Sequence, residues 1–134
     1  MRRIILSSVL AALILPVQAL ALGLGTIEVS SQLNQKLDAR ISLLSAQPAD
    51  AEVLIVKLAS REEFVKAGLD RPFSLTSLKF KTLVEDDDVY ITVTSPSPIR
   101  EPTINFLVEV DWPQGQLLRE YTILLDPPAL TGQK

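Results

Sequence analysis

The stretch from Arg100 to Pro128, REPTINFLVEVDWPQGQLLREYTILLDPP, restricts the fold more than any other part of the chain. Between Thr103 and Trp112 the side chains of Ile104, Phe106, Val108, Val110 and Trp112 alternate with Thr103, Asn105, Leu107, Glu109 and Asp111. A period of two sorts these residues onto the dry and the mostly polar faces of a strand. Pro113-Gln114-Gly115 reads as a turn, because proline fixes φ and lacks a pairing N–H, and Gly115 is expected to supply a positive φ. A second extended run, Gln116 to Asp126, completes an antiparallel hairpin. Burying the inward side chains of its first strand is worth roughly 8–15 kcal/mol, an upper bound because an unfolded chain already hides part of that surface. It is a core hairpin, and nothing in it suggests chemistry.

The amino terminus has a different character. Arg2 and Arg3 precede an apolar run from Ile4 to Leu15, followed by Pro16 and the small-residue pattern Ala19-Leu20-Ala21. A basic start, a short greasy centre and an A-x-A site make residues 1–21 a secretory signal peptide, with cleavage expected after Ala21 and Ala19 as the near alternative. The run falls short of the roughly 20 apolar residues that span a bilayer, although Leu20, Leu22 and Leu24 prolong it enough to leave an uncleaved anchor open. Loss of the two arginines makes the remaining chain more acidic than the net −3 of the whole. With no basic cluster to neutralise phosphates, nucleic-acid binding is excluded. The chain has no cysteine and no histidine. It therefore has no disulfide framework, no thiol nucleophile, no histidine base and none of the usual zinc ligands, and no cofactor is expected.

Strands recur along the rest of the chain. Gly23-Leu24-Gly25 reads as a flexible lead-in, Thr26 to Ser31 as a short strand and Gln32 to Gln35 as a turn. Lys36 to Ser45 alternates cleanly, with Leu37, Ala39, Ile41 and Leu43 inward. After a loop at Ala46 to Ala51, the nearly continuous apolar run Glu52 to Ala59 suggests a strand covered on both sides. Ser60 as N-cap, Glu63 completing a capping box and Gly68 at the end predict a two-turn helix that covers an edge or caps the core. Phe73 to Val84 and Val89 to Thr94 form a second hairpin with the acidic tip Glu85 to Asp88, and the prolines of Ser95 to Pro98 and Pro102 mark a crossover between sheets. About seven strands with regular turn signals predict an all-β, antiparallel, immunoglobulin-like β-sandwich with one short helix over residues 22–128, followed by a tail or linker stub at 129–134. Packing around Trp112, Phe106 and Phe80 has to replace the missing disulfide.

No residue set makes a convincing catalytic site. The Glu85 to Asp88 run offers oxygens to a hard cation but lacks the glycine and distal glutamate of a calcium loop, and a solvated hairpin tip explains it. Asp38, Glu109 and Asp111 are the carboxylates a glycosidase would need across a cleft, yet Glu109 and Asp111 share one strand face and read as surface charges opposing Arg119 or Arg100. Ser77-Leu78-Lys79 has the wrong spacing for Ser-Lys catalysis. Trp112 and Tyr121 are candidate platforms for a sugar, against the commoner reading of a core tryptophan.

The segments ALGLGTIEVSSQLNQKLDARISLLS, VLIVKLASREEFVKAGLDRPFSLTSLKF and SPIREPTINFLVEVDWPQGQLLREYTILLDPP resemble the amino-terminal periplasmic domain of the FimV/HubP family of type IV pilus assembly and polar-landmark proteins. The resemblance covers essentially all of the chain after the leader. It implies a non-enzymatic interaction domain in the periplasm, envelope partners from the pilus-assembly or polar machinery, and proximity to peptidoglycan. In the family a LysM module, a transmembrane helix and cytoplasmic repeats follow; these 134 residues contain none of them, so wall binding through LysM and anchoring are not carried here. Either a fragment of a longer protein or a short relative acting as a free periplasmic module is expected. The family motif brings no catalytic or contact residues.

Overall fold

A computed structural model of the chain describes residues 22–128. The leader assigned to residues 1–21 and the tail at 129–134 lie outside the described residues. Among the described residues there are seven strands: β1 Gly23–Val29, β2 Lys36–Leu44, β3 Ile55–Leu58, β4 Lys79–Glu85, β5 Asp88–Pro98, β6 Thr103–Trp112 and β7 Gly115–Leu124. One α-helix, α1 Arg61–Lys66, and two 3-10 turns, Pro48–Glu52 and Phe73–Ser77, join them. All strand pairs are antiparallel, in the orders β1-β2-β5-β4 and β3-β6-β7. Lettered A to G along the chain, this is ABED facing CFG, the constant-type immunoglobulin arrangement. The expected sandwich is therefore the observed one.

Alternation builds the core. Leu37, Ala39, Ile41 and Leu43 of β2 and Val89, Ile91 and Val93 of β5 meet Ile104, Phe106, Val108 and Val110 of β6, all of them buried. Phe106 is fully buried, with the rings of Phe80 and Tyr121 centred 6.3 and 6.1 Å away, inside the range where tilted aromatic pairs attract. The aromatic centre is thus Phe106, Phe80 and Tyr121. Trp112 packs against the core from its rim and stays half-buried.

The helix keeps the Ser60 half of the expected capping box and the glycine stop. Ser60 Oγ accepts the Glu63 N–H at 3.4 Å, and Gly68 takes φ 72°, which frees its N–H for the Val65 carbonyl and that of Leu69 for the Phe64 carbonyl. This pair of bonds closes the carboxyl end, at a backbone conformation that disfavours any side chain. Phe64 is the residue the helix buries.

Several local expectations need correction. Gly23 to Gly25 is part of β1, and a Cβ on Gly25 would meet the Ser42 carbonyl oxygen at 3.1 Å; the glycine serves close strand approach beside an irregularity in the β1–β2 register. The apolar run at 52–59 yields a strand of only four residues at a sheet edge, with Ile55 61% exposed, because β3 pairs with β6 alone. Phe73–Ser77 is a 3-10 turn instead of a strand: the Thr76 and Ser77 hydroxyls donate to the Phe73 and Ser74 carbonyls, a local alternative to a ladder. Pro48–Glu52 is likewise a 3-10 turn, with Asp50 accepting the Gln47 N–H at 2.8 Å. Gly115 needs no positive φ; it pairs with Trp112, and a Cβ there would sit 3.5 Å from the indole. Finally, the face of β6 expected to be wet is covered at its middle, where Leu107 and Glu109 are buried.

Two details explain turns that the sequence marked only by composition. Asp86 and Asp87 take φ 52° and 67°, the left-handed pair of a two-residue hairpin turn, which aspartate tolerates better than most residues. At Ser95 to Pro98 the chain is still in β5, but its register with β2 slips; the Ser95 hydroxyl accepts the buried Leu37 N–H at 2.8 Å and donates to the Ser97 carbonyl at 2.6 Å. Residues 99–102 then cross to the second sheet, so the crossover expected from Ser95 onward begins only after Pro98.

Candidate interaction surface

The two sheets are tied together at one edge by side chains. On β7, Arg119 Nη1 donates to the Leu24 and Gly25 carbonyls of β1, and the Tyr121 hydroxyl donates to the Gly25 carbonyl at 2.7 Å. The guanidinium also lies over the tyrosine ring at 5.0 Å. Burial pushes the Tyr121 phenol up to about 12, with Arg119 pulling weakly the other way. A phenol 4% exposed and committed to a backbone carbonyl offers no face to a sugar. Tyr121 is a structural clamp.

The candidate carboxylates are separated. Asp38 is on β2, in one sheet, and Glu109 and Asp111 are on β6, in the other, so no pair faces across a cleft in the way hydrolysis requires. Glu109 and Asp111 do not oppose Arg119 or Arg100 either. Both reach Lys57 of β3, at 3.3 and 3.6 Å, and the two carboxylates, Glu109 foremost, hold the lysine above its ordinary range. Sequence reasoning missed Lys57, because the pairing Lys57–Glu109 depends on register between strands far apart in the chain. At the acidic hairpin tip, Glu85 is taken up by Arg40 at 3.0 Å, whose guanidinium also stacks 5.1 Å from the Tyr90 ring centre. Among the described residues no group of three or more potential ligands could hold a metal ion.

Trp112 lines an open cleft of about 510 Å³ at the end of the sandwich where the chain enters, with Leu22, Asp50, Val53 and Gln114. A smaller apolar groove of about 270 Å³ lies between the Phe73–Ser77 turn and the start of β6, lined in part by Pro72, Leu75, Ile99 and Ile104. Phe73 on that turn is 88% exposed. Leu124 and Val65 are further large apolar side chains in water. The described surface therefore offers contact area and fixed charge.

Comparison with known proteins agrees with this picture. Residues 22–128 match the FimV N-terminal Ig-like domain family. The motility hub protein FimV of Pseudomonas aeruginosa, in strains PAO1 and UCBPP-PA14, is 53% identical over 113 residues, which is 84% of this chain and 12% of the relative. The chain thus spans about an eighth of the length of those relatives. No solved structure matches. Among the described residues no helix is long and apolar enough to cross a membrane.

Proposed function

Because the chain belongs to the family of FimV N-terminal Ig-like domains, we propose that it is a non-enzymatic protein-interaction domain of the FimV type, working in the periplasm in support of type IV pilus and secretin assembly, twitching motility or cell-pole organisation. The observation that carries this reading is the match of residues 22–128 to the family together with 53% identity to a protein named for its role as a motility hub. The separation of the candidate carboxylates Asp38 and Glu109 onto different sheets supports it, since such a sandwich acts through its exterior. Residues 1–21 are proposed as the export signal, residues 22–128 as the working domain and residues 129–134 as a linker stub.

A chimera tests the reading. In the P. aeruginosa relative, the amino-terminal domain is replaced by residues 22–128 of this chain, and twitching zones are measured against the parent and a deletion of the same domain. Restored twitching is expected; a chimera that is exported and abundant yet no better than the deletion overturns the proposal. Export is checked separately by fusing residues 1–134 to alkaline phosphatase, which is active only outside the cytoplasm. An inactive but abundant fusion removes the periplasmic assignment.

A further inference from the structure

The outward faces of the two sheets differ in charge. On the β1-β2-β5-β4 sheet, Lys36, Arg40, Lys79 and Lys81 balance Glu28, Asp38, Glu85 and Asp88, with Arg40 paired to Glu85. On the β3-β6-β7 sheet the register sets out three successive rows: Ile55–Asp111–Gln116, Lys57–Glu109–Leu118 and Leu107–Glu120. Lys57 is the one cation in those rows, and it serves two carboxylates at once, while Glu120 forms no ion pair among the described residues. The face therefore carries surplus negative charge at both its first and its third row.

The middle row is built differently. Glu109 is 5% exposed and held by Lys57, so its desolvation is already part of the fold and is not repeated on binding. Leu118 beside it is half-buried, and Ile55 in the next row is mostly exposed. Leu118 is therefore an apolar position between two anionic ones, Asp111 and Glu120, whereas Ile55 lies on the far side of β6, level with Asp111. Rows on one face of a sheet are about 7 Å apart, so the outer two lie about 13 Å apart, which is the reach of four residues in an extended chain.

Resting on the interaction-domain reading, we propose that this face docks an extended segment of a partner protein carrying basic residues four positions apart with an apolar side chain midway between them. One guanidinium meets Asp111, the second meets Glu120, and the apolar residue lies on Leu118. Arginine suits the outer positions because its planar fork matches a carboxylate in two bonds and is weakly hydrated. The overall acidity of the chain adds attraction at longer range.

The test uses the exported chain labelled with ¹⁵N and a short synthetic peptide with arginine at its first and fifth positions, leucine at its third and serine between. A second peptide with glutamate in place of arginine is the control. The inference expects amide shifts centred on Ile55, Lys57, Glu109, Asp111, Leu118 and Glu120, absent with the control, and weakened about two- to fivefold by Asp111→Asn or Glu120→Gln, the range of an exposed ion pair. Both substitutions are at surface positions, and a well-dispersed spectrum confirms that each variant is folded. Shifts centred on the acidic Asp86–Asp88 tip, shifts spread over both sheets, equal shifts with the control, or none with either peptide overturn the inference. Carrying the same two substitutions into the twitching chimera separates the two proposals: unchanged motility removes this face and leaves the interaction-domain reading standing.

Discussion

Replacing Tyr121 with phenylalanine should have opposite consequences at neutral and at strongly alkaline pH. The substitution removes a buried hydroxyl that donates to the Gly25 carbonyl at 2.7 Å and leaves the ring in the core. Arg119 still donates to the same carbonyl at 3.1 Å, so the acceptor keeps a partner. The expected loss is then the net value of one hydrogen bond, about 1 kcal/mol, without the larger penalty of an orphaned acceptor. Alkali changes the balance. The phenol titrates at about 12 in the folded chain against an ordinary value of 10.0, so the folded state keeps the proton more tightly. This contribution is fully present below pH 10 and is lost as pH rises through 12. Two pH units correspond to about 2.7 kcal/mol in the limit, and about half of that is gone by pH 11. The wild-type chain therefore gives up its advantage over Tyr121→Phe and the two stabilities cross at about pH 11. Urea denaturation followed by the fluorescence of the single tryptophan, Trp112, at steps from about pH 8 to pH 12, measures both curves. All other ionisable groups are common to both proteins, so their contributions cancel in the difference. A gap that stays constant across the series, or no gap at neutral pH, refutes the reasoning.

Other substitutions probe the remaining links. Ser95→Ala strands the buried Leu37 N–H at the β2–β5 irregularity and should cost about 1–3 kcal/mol in the same denaturation assay. Phe106→Ala empties the aromatic centre and should cost about 3–5 kcal/mol, enough to threaten folding at 37 °C. Gly25→Ala drives a methyl against the Ser42 carbonyl oxygen and should lower the thermal midpoint at a cost of about 1–3 kcal/mol. Phe73→Ser, by contrast, should leave stability within about 0.5 kcal/mol of wild type, because that ring is almost wholly in water.

The strands with unbroken alternation were legible residue by residue. Leu37, Ala39, Ile41 and Leu43, and later Ile104, Phe106, Val108 and Val110, all point where a period of two puts them, because in a half-buried strand every second side chain must leave water, whereas the burial of Leu107 and Glu109 was not legible. Ser60 and Gly68 marked the helix for the same local reason, as caps satisfy backbone groups within a few residues. The acidic run Glu85 to Asp88 was legible as a turn, although its conformational reason, two aspartates in left-handed geometry, emerged only from the backbone. Phe73–Ser77 was misread because hydroxyls can bond to their own backbone or leave it free for a ladder, and composition does not distinguish the two.

Periodicity thus determined that this chain is a two-layer β-protein and which strand residues form its dry interior, while composition shows only that it contains no cysteine and no histidine. The periodic properties depend on neighbours along the chain. Only tertiary structure decided that the run at 52–59 would be an edge strand, that Tyr121 and Arg119 would clasp β1, and that Lys57 would meet Glu109 and Asp111 across more than fifty positions of sequence. Strand order and register bring such partners together, and they are set by the whole sandwich closing on its core, so no local stretch contains them.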